Sequence, residues 1–153
     1  MKNLFILFSF ILTFTACSPI KITNSKIIKQ GIEGYVYKYT GNQMPSPNHP
    51  LPKPQPLSTT IYIYENTNLK DVEIAQNSSS YSTIKTKLVK TVISDTLGYF
   101  LVELPSGKYS LFIKWNGFYY ANLFDTENNI APFIVEQNKI TKITIKADVN
   151  TTY

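Results

Sequence analysis

Arginine is absent from the 153-residue chain, and histidine and cysteine each occur only once. A single cysteine excludes an intramolecular disulfide. Nucleic-acid recognition relies on bidentate hydrogen bonds from arginine and on clustered basic patches. The chain has no arginine and its fifteen lysines are scattered, so we predict no nucleic-acid partner and interpret the lysines as a solvated surface. A metal centre or a catalytic triad would depend on His49, the single histidine, which lies in a proline-rich stretch. We therefore predict that the protein is not an enzyme and has no cofactor, no catalytic residue and no metal ligand.

The chain also lacks an apolar run long enough to cross a membrane as a helix. Its longest such stretch, Leu4 to Phe14, is shorter than the roughly 20 residues that a spanning helix needs. One early lysine, this apolar stretch and the small residues that end at Ala16 predict a cleaved secretory signal peptide over residues 1–16.

Cys17 follows the signal directly, in the sequence "FTAC", which resembles the lipobox of bacterial lipoproteins with Phe14 in place of the usual leucine. The resemblance implies that Cys17 carries diacylglycerol, that its new amino group is acylated, and that these chains anchor the protein to a membrane. Residues 17–30 would be the lipidated cysteine and a polar tether. The alternative is an ordinary cleaved signal followed by an incidental cysteine.

The remainder of the chain alternates apolar and polar residues in short runs separated by turn signals, with no amphipathic helix. The first strands are predicted at Gly31–Tyr39 and Thr59–Glu65, and a long one over Tyr81–Ser94. Six prolines in residues 44–57 predict an extended surface loop, because proline fixes φ and donates no backbone hydrogen bond. The pattern predicts an all-β fold over residues 31–149, an antiparallel Greek-key β-sandwich of seven or eight strands, prealbumin- or Ig-like, with a short tail at 150–153.

Two stretches carry a family resemblance, "GIEGYVY" from Gly31 and "SDTLGYFLVELPSGKYSLFIKWNGF" from Ser94. They resemble the core of carboxypeptidase regulatory-like domains, and the sequence "YYANLFD" resembles stand-alone lipoproteins of Bacteroidetes-type bacteria that contain this domain. The alternation and the turn signals of Ser94–Tyr120 predict a β-turn-β hairpin. The resemblance implies a prealbumin-like sandwich. It also implies turn glycines with unusual φ at Gly98 and Gly107, and core positions at Phe100, Val102, Leu104, Tyr109, Leu111 and Ile113.

Tyrosines supply the sharpest binding hypothesis. If Val36, Ile61 and Ile63 face the core, five tyrosines lie on the opposite faces of their strands, and neighbouring strands would join them into one exposed aromatic stripe: Tyr35, Tyr37, Tyr39, Tyr62 and Tyr64. Such a stripe could stack on sugar rings or on a partner protein. The alternative is a cross-strand ladder that stabilises the sheet and is partly covered by the proline-rich loop.

Two loops carry weaker signals. Asp95-Thr96-Leu97 matches the pattern that Bacteroidetes use for O-glycosylation, which makes Thr96 a candidate glycan site; otherwise Asp95 and Thr96 simply bond the turn backbone. Residues 125–136 place oxygen-bearing side chains at some EF-hand positions, but Ile130 occupies the position where the turn needs glycine. A polar connection between strands is the better interpretation.

Together these features predict a non-enzymatic, lipid-anchored cell-envelope module that mediates a protein interaction or has an accessory role. The alternatives are a carbohydrate-binding lipoprotein that assists polysaccharide capture, and a purely structural envelope protein. The expected partners are the membrane, through Cys17, and an envelope protein or a glycan. We expect an outer-membrane anchor facing the periplasm, because "SPIKITNSK" lacks the acidic cluster associated with surface export in this bacterial group.

Overall fold

The structure is a computed structural model that describes residues 27–44, 47 and 50–152. The first sixteen residues, Cys17 and His49 therefore lie outside the described residues. Within the described residues, the chain forms eleven strands and no α-helix. The strands are β1 (Gly31–Asn42), β2 (Gln55–Pro56), β3 (Thr60–Glu65), β4 (Val72–Ile74), β5 (Ser80–Ile84), β6 (Leu88–Ile93), β7 (Tyr99–Glu103), β8 (Gly107–Trp115), β9 (Phe118–Tyr120), β10 (Pro132–Val135) and β11 (Ile140–Thr152).

The strands are divided between two sheets, which confirms the predicted all-β sandwich. In the four-stranded sheet, β1 pairs with β11 on one side and with β2 and β7 on the other. The seven-stranded sheet has the order β4-β5-β9-β8-β3-β6, and β10 also pairs with β8. All of these pairs are antiparallel except β1 with β11, which is parallel. The first and last strands thus run side by side.

The main core lies between the two sheets and contains the inward residues that alternation predicts. The four-stranded sheet contributes residues such as Ile32, Val36 and Phe100, which pack with Ile61 and Ile113 of the seven-stranded sheet. All six core positions expected from the family resemblance are buried. Each of these strands therefore places every second side chain in the core, as the period of two requires.

A second, smaller core lies on the outer face of the seven-stranded sheet. Phe112 and Ser110 point to this face of β8, and both are fully buried. The chain segments around Val72 and Ile130 pack over this face, so β8 is covered on both sides. The second core contains Tyr64, Val72, Tyr81, Phe112, Ala121 and Ile130.

Two predictions about strands and their pairing are wrong. The stretch Tyr81–Ser94 is two strands, β5 and β6, on different parts of the seven-stranded sheet, because the chain leaves the ladder at residues 85–87. Strands β7 and β8 do not form a hairpin, since they belong to different sheets and the turn at Pro105 carries the chain across the sandwich. The hairpin in this region joins β8 to β9 through Asn116 and Gly117, both with positive φ.

The two glycines expected to have unusual φ differ. Gly98 has a φ of 79° and closes the turn by donating its N–H to the carbonyl oxygen of Asp95 at 3.0 Å. Gly107 is the first residue of β8 and is not among the residues with positive φ. The ring of Tyr109 lies over it, so a Cβ there would come within 3.1 Å of the Tyr109 hydroxyl oxygen. A side chain at residue 107 is therefore limited by the nearby Tyr109 ring and not by the backbone conformation.

The proline-rich stretch is mostly irregular, as predicted, but its end forms β2 at the margin of the four-stranded sheet. Gln55 and Pro56 pair there with Lys38 and Tyr37 of β1. Proline is tolerated at such an edge position, because its missing N–H need not serve a ladder.

Candidate functional site

The predicted tyrosine stripe is split between the two sheets. Val36, Ile61 and Ile63 are fully buried, so the tyrosines do lie on the outward faces of β1 and β3. However, β1 belongs to the four-stranded sheet and β3 to the seven-stranded sheet, so the two groups of tyrosines lie on opposite outer faces of the sandwich. A single stripe of five tyrosines does not form.

The β3 tyrosines belong to the second core. Tyr64 is only 6% exposed and packs edge-on against Phe112 and Tyr119, with ring centroids 5.7 and 6.0 Å away. Tyr62 lies edge-on to Tyr119 at 5.1 Å. Burial, followed by a hydrogen bond with Tyr119, raises the pKa of Tyr64 well above its ordinary value. These contacts lie within the seven-stranded sheet and involve Phe112 and Tyr119, so they differ from the predicted ladder, which comprised the tyrosines of both β1 and β3.

The β1 tyrosines form a different kind of surface, which we call the tyrosine face: Tyr35, Tyr37 and Tyr39 of β1 with Tyr99 of β7. The rings of Tyr35 and Tyr37 are nearly parallel, at 17°, with centroids 6.0 Å apart. Tyr99 is paired with Tyr35 in the neighbouring strand, and its ring centroid lies 5.4 Å from that of Tyr35. Tyr35 is 42% exposed, so solvent reaches the centre of this face.

Charged groups border the tyrosine face. Lys142 of β11 lies beside Glu33 of β1 with its Nζ 3.2 Å from the carboxylate, and Lys146 places its Nζ 5.9 Å from the ring centroid of Tyr39. Partial desolvation, followed by the nearby Glu33 carboxylate, raises the pKa of Tyr99 above its ordinary value. A shallow cavity of about 430 Å³ opens here, lined by Glu33, Tyr35, Tyr99, Lys142 and Thr144. The face therefore combines aromatic rings with hydrogen-bonding groups of both charges.

Tyr99 and the β11 residues of this face were not among the predicted site residues. Alternation did place Tyr99 outward, opposite Phe100, but it could not reveal that β7 pairs with β1. The parallel pairing that brings Lys142 and Lys146 beside the tyrosines joins the two ends of the domain, more than a hundred residues apart. No local sequence pattern encodes that neighbour.

The Thr96 turn connects β6 to β7 and is exposed. Asp95 holds the turn together, since one oxygen of its carboxylate accepts hydrogen bonds from the N–H groups of Leu97 and Tyr99, each at 2.8 Å. The Asp95 side chain thus bonds the turn backbone, which is one part of the structural alternative, and Thr96 stays a candidate glycan site.

The loop tested for an EF-hand pattern is organised by the Asp125 carboxylate. One oxygen accepts from the backbone N–H groups of Glu127 and Asn129, and the other accepts from the Asn129 amide and the Lys108 ammonium. The Asn129 side-chain hydrogen bond is the largest of the effects that lower the pKa of Asp125, to about 2. A lysine therefore occupies the place near this carboxylate where a cation would bind. Among the described residues, no cluster of histidine, cysteine, aspartate and glutamate could hold a metal ion.

No protein-family model, curated protein or solved structure matches the chain. Within the part of the chain that the structure describes, no helix is long and apolar enough to cross a membrane.

Proposed function

We propose that the protein is a non-enzymatic, lipid-anchored module of the cell envelope that binds a partner protein through the tyrosine face. The observation that carries the proposal is the exposure of Tyr35 among stacked tyrosines. Aromatic side chains are enriched where proteins bind one another, because they bury a large area at a small cost in conformational entropy. The tyrosines of the seven-stranded sheet, by contrast, are used by the second core.

The family resemblance supports an accessory role. The sandwich is compatible with the prealbumin-like fold of carboxypeptidase regulatory-like domains, and the two glycine-containing stretches that suggested this family lie in β1 and around β7 and β8. Domains of this kind accompany peptidases, transport receptors and adhesins without carrying the chemistry of those proteins. Membership in this family is part of the proposal.

A partner can be sought with a photo-crosslinking side chain introduced at Tyr35 in membrane-anchored protein. We expect a discrete adduct with one envelope protein at this position. The matched control is the same side chain at Ile74, which is also exposed but lies at the edge strand β4 of the other sheet. Equal adduct yields at the two positions would contradict a binding role for the tyrosine face.

The anchor is a separate part of the proposal, because Cys17 lies outside the described residues. Lipidation there would tether the sandwich to the outer membrane, facing the periplasm, through residues 17–30. Metabolic labelling with a fatty-acid probe should label the wild-type protein and not the Cys17→Ser variant. Label retained by the variant would exclude Cys17 as the lipidated residue.

Carbohydrate binding is the second candidate function. The near-parallel rings of Tyr35 and Tyr37 support it, since sugar rings stack on flat aromatic surfaces, and Glu33 and Lys142 could bond hydroxyl groups beside them. A glycan array should then show binding that is lost in the Tyr35→Ala/Tyr37→Ala double variant and kept in Tyr62→Ala. Absence of both a glycan and a protein partner would leave the purely structural role.

Glycosylation of Thr96 is proposed for expression in a native host. The intact mass should exceed that of the polypeptide and its lipid, and the Thr96→Ala variant should lose this excess. An unchanged excess in the variant would place the sugar elsewhere.

A further inference from the structure

The last strand, β11, is an open edge of the four-stranded sheet. It pairs with β1 on one side, and no other strand of the described residues pairs with its second side. Strand β10 packs near the start of β11, where the Thr141 hydroxyl donates to the Ile134 carbonyl oxygen at 2.7 Å. The N–H of Asp148 points to that second side, where it donates to the hydroxyl oxygen of Tyr120 at 3.1 Å. Successive residues of a strand direct their backbone polar groups to alternate sides, so the N–H and C=O groups of Thr144 and Lys146 point the same way. Among the residues that the structure describes, no strand pairs with these groups.

An apolar cavity lies directly beside these backbone groups. It has a volume of about 230 Å³ and opens between β11 and the seven-stranded sheet. Ile143 and Ile145 of β11 line one wall, and Leu111, Ala131 and Phe133 line the opposite wall. Beyond it, Asn122 donates its side-chain amide to the Asp148 carboxylate at 2.9 Å, which ties the two sheets together at that end. A strand added to β11 would place its inward side chains over this cavity.

The outward side chains of β11 define the charge that an added strand should carry. Lys142, Thr144 and Lys146 alternate with the inward isoleucines and are exposed. If a second copy paired antiparallel through its own β11, centred on Thr144, Lys142 of each copy would lie opposite Lys146 of the other. Like charges directly opposite each other destabilise a sheet, whereas opposite charges stabilise it. Glu33 already offsets part of the charge of Lys142, whereas Lys146 has no carboxylate partner among the described residues. The lysines, Lys146 above all, therefore disfavour self-association and favour an acidic strand.

We propose that β11 binds an extended segment of a partner protein by strand addition, and that this segment alternates apolar and acidic residues. Its backbone bonds the N–H and C=O groups of Thr144 and Lys146, its apolar side chains enter the cavity, and its carboxylates lie beside Lys142 and Lys146. Main-chain bonds supply affinity in such complexes, and the pockets for alternate side chains supply specificity. The site is the edge of β11. It shares Lys142, Thr144 and Lys146 with the border of the tyrosine face, but it needs none of the four tyrosines.

The test titrates ¹⁵N-labelled protein with a synthetic eight-residue peptide in which glutamate alternates with valine. We expect the largest chemical-shift changes at the backbone amides of Thr144 and Lys146. Hydrogen exchange of both amides should be at least tenfold slower when the peptide is bound. A peptide of the same composition with four glutamates followed by four valines is the control. Equal binding of the two peptides, or changes centred on Tyr35 and Tyr99, would overturn the proposal.

Two variants test the backbone and the charge separately. Thr144→Pro removes an N–H that points away from β1, so it should weaken peptide binding at least tenfold while β1 and β11 stay paired. Lys146→Glu should prefer a peptide with lysine in place of glutamate. Lys90→Glu, with the same charge change on the edge strand β6 of the other sheet, should keep the original preference. Undiminished binding by a folded Thr144→Pro variant, or the same preference in both charge variants, would refute strand addition.

The Tyr35→Ala/Tyr37→Ala double variant separates the two sites. It should bind the alternating peptide with unchanged affinity even though it loses the partner proposed for the tyrosine face. Loss of peptide binding in this variant, with retention in Thr144→Pro, would assign the peptide to the tyrosine face and overturn the edge site.

Discussion

At the scale of single residues, two separate factors decide whether a glycine can be replaced: its backbone conformation and the space around its Cα. At Gly98 both oppose a side chain, because φ is 79° and a Cβ would lie 2.4 Å from the carbonyl oxygen of Val36. At Gly107 the backbone is ordinary, and the nearest atom is the hydroxyl at the far end of the Tyr109 side chain, 3.1 Å away. The two glycines look alike in the sequence, since each closes a turn signal before a strand.

Replacing each glycine by alanine should distinguish these causes. We expect Gly98→Ala to lower the free energy of unfolding by about 2 kcal/mol or more, because the left-handed conformation alone costs an L-residue about 1–2 kcal/mol. Gly107→Ala should lower it by less, about 1 kcal/mol, since the buried Tyr109 ring needs to shift by only a few tenths of an ångström. Urea unfolding of both variants measures the difference. Equal losses would contradict a conformational role specific to Gly98.

At the scale of the element, β8 departs most from the simple pattern. Alternation over "YSLFIKW" predicts one inward face and one outward face, and the inward residues were identified correctly. The outward face of an antiparallel sheet commonly meets solvent. In β8, however, Phe112 is fully buried and touches the rings of Tyr64 and Tyr81 edge-on, with centroids 5.7 and 5.8 Å away. The covering segments lie far away in the chain, at residues 66–74 and 121–131, so local sequence could not reveal them.

Truncation of Phe112 tests the second core. Because its side chain is fully buried, Phe112→Ala should lower the free energy of unfolding by about 3–5 kcal/mol. Ile93→Ala provides the comparison, since Ile93 lies on β6 of the same sheet and is 70% exposed, so we expect a change within about 0.5 kcal/mol. Denaturant unfolding checks both values. A Phe112→Ala loss as small as that of Ile93→Ala would mean that the outer face is not packed in solution.

At the scale of the whole molecule, buried tyrosines should limit stability at alkaline pH. Burial raises the pKa of Tyr81 to about 12 and raises those of Tyr64 and Tyr109 in the same direction. In the unfolded chain tyrosines ionise near pH 10. Above that pH the unfolded state releases protons that the folded state keeps, so the free energy of unfolding should fall between about pH 10 and 12.

Unfolding followed at several pH values tests this expectation. The Tyr81→Phe variant loses a hydrogen bond from the hydroxyl to the Ser78 carbonyl oxygen at 2.9 Å, so it should be about 1 kcal/mol less stable at neutral pH. Its stability should nevertheless fall less steeply above pH 10, because one raised pKa is gone. An identical pH dependence in the variant and the wild type would show that Tyr81 ionises equally in both states.

The sequence by itself determined the all-β class and the inward faces of several strands. The period of two in β1, β3, β7 and β8 placed Val36, Ile61, Phe100 and Ile113 inward, because alternation is a local property of an extended chain. The position of the proline-rich stretch outside the sheet interior has an equally local cause, because proline has no backbone N–H to donate. What local patterns cannot contain is the identity of the neighbouring strand.

The tertiary structure decided everything that depends on neighbours. It separated Tyr35 from Tyr62 by placing β1 and β3 in different sheets, and it brought Tyr99 and Lys142 beside Tyr35. It also left one side of β11 without a paired strand among the described residues, next to an apolar cavity. Pairing between distant strands depends on the packing of the whole core, so these surfaces exist only once the two sheets have assembled.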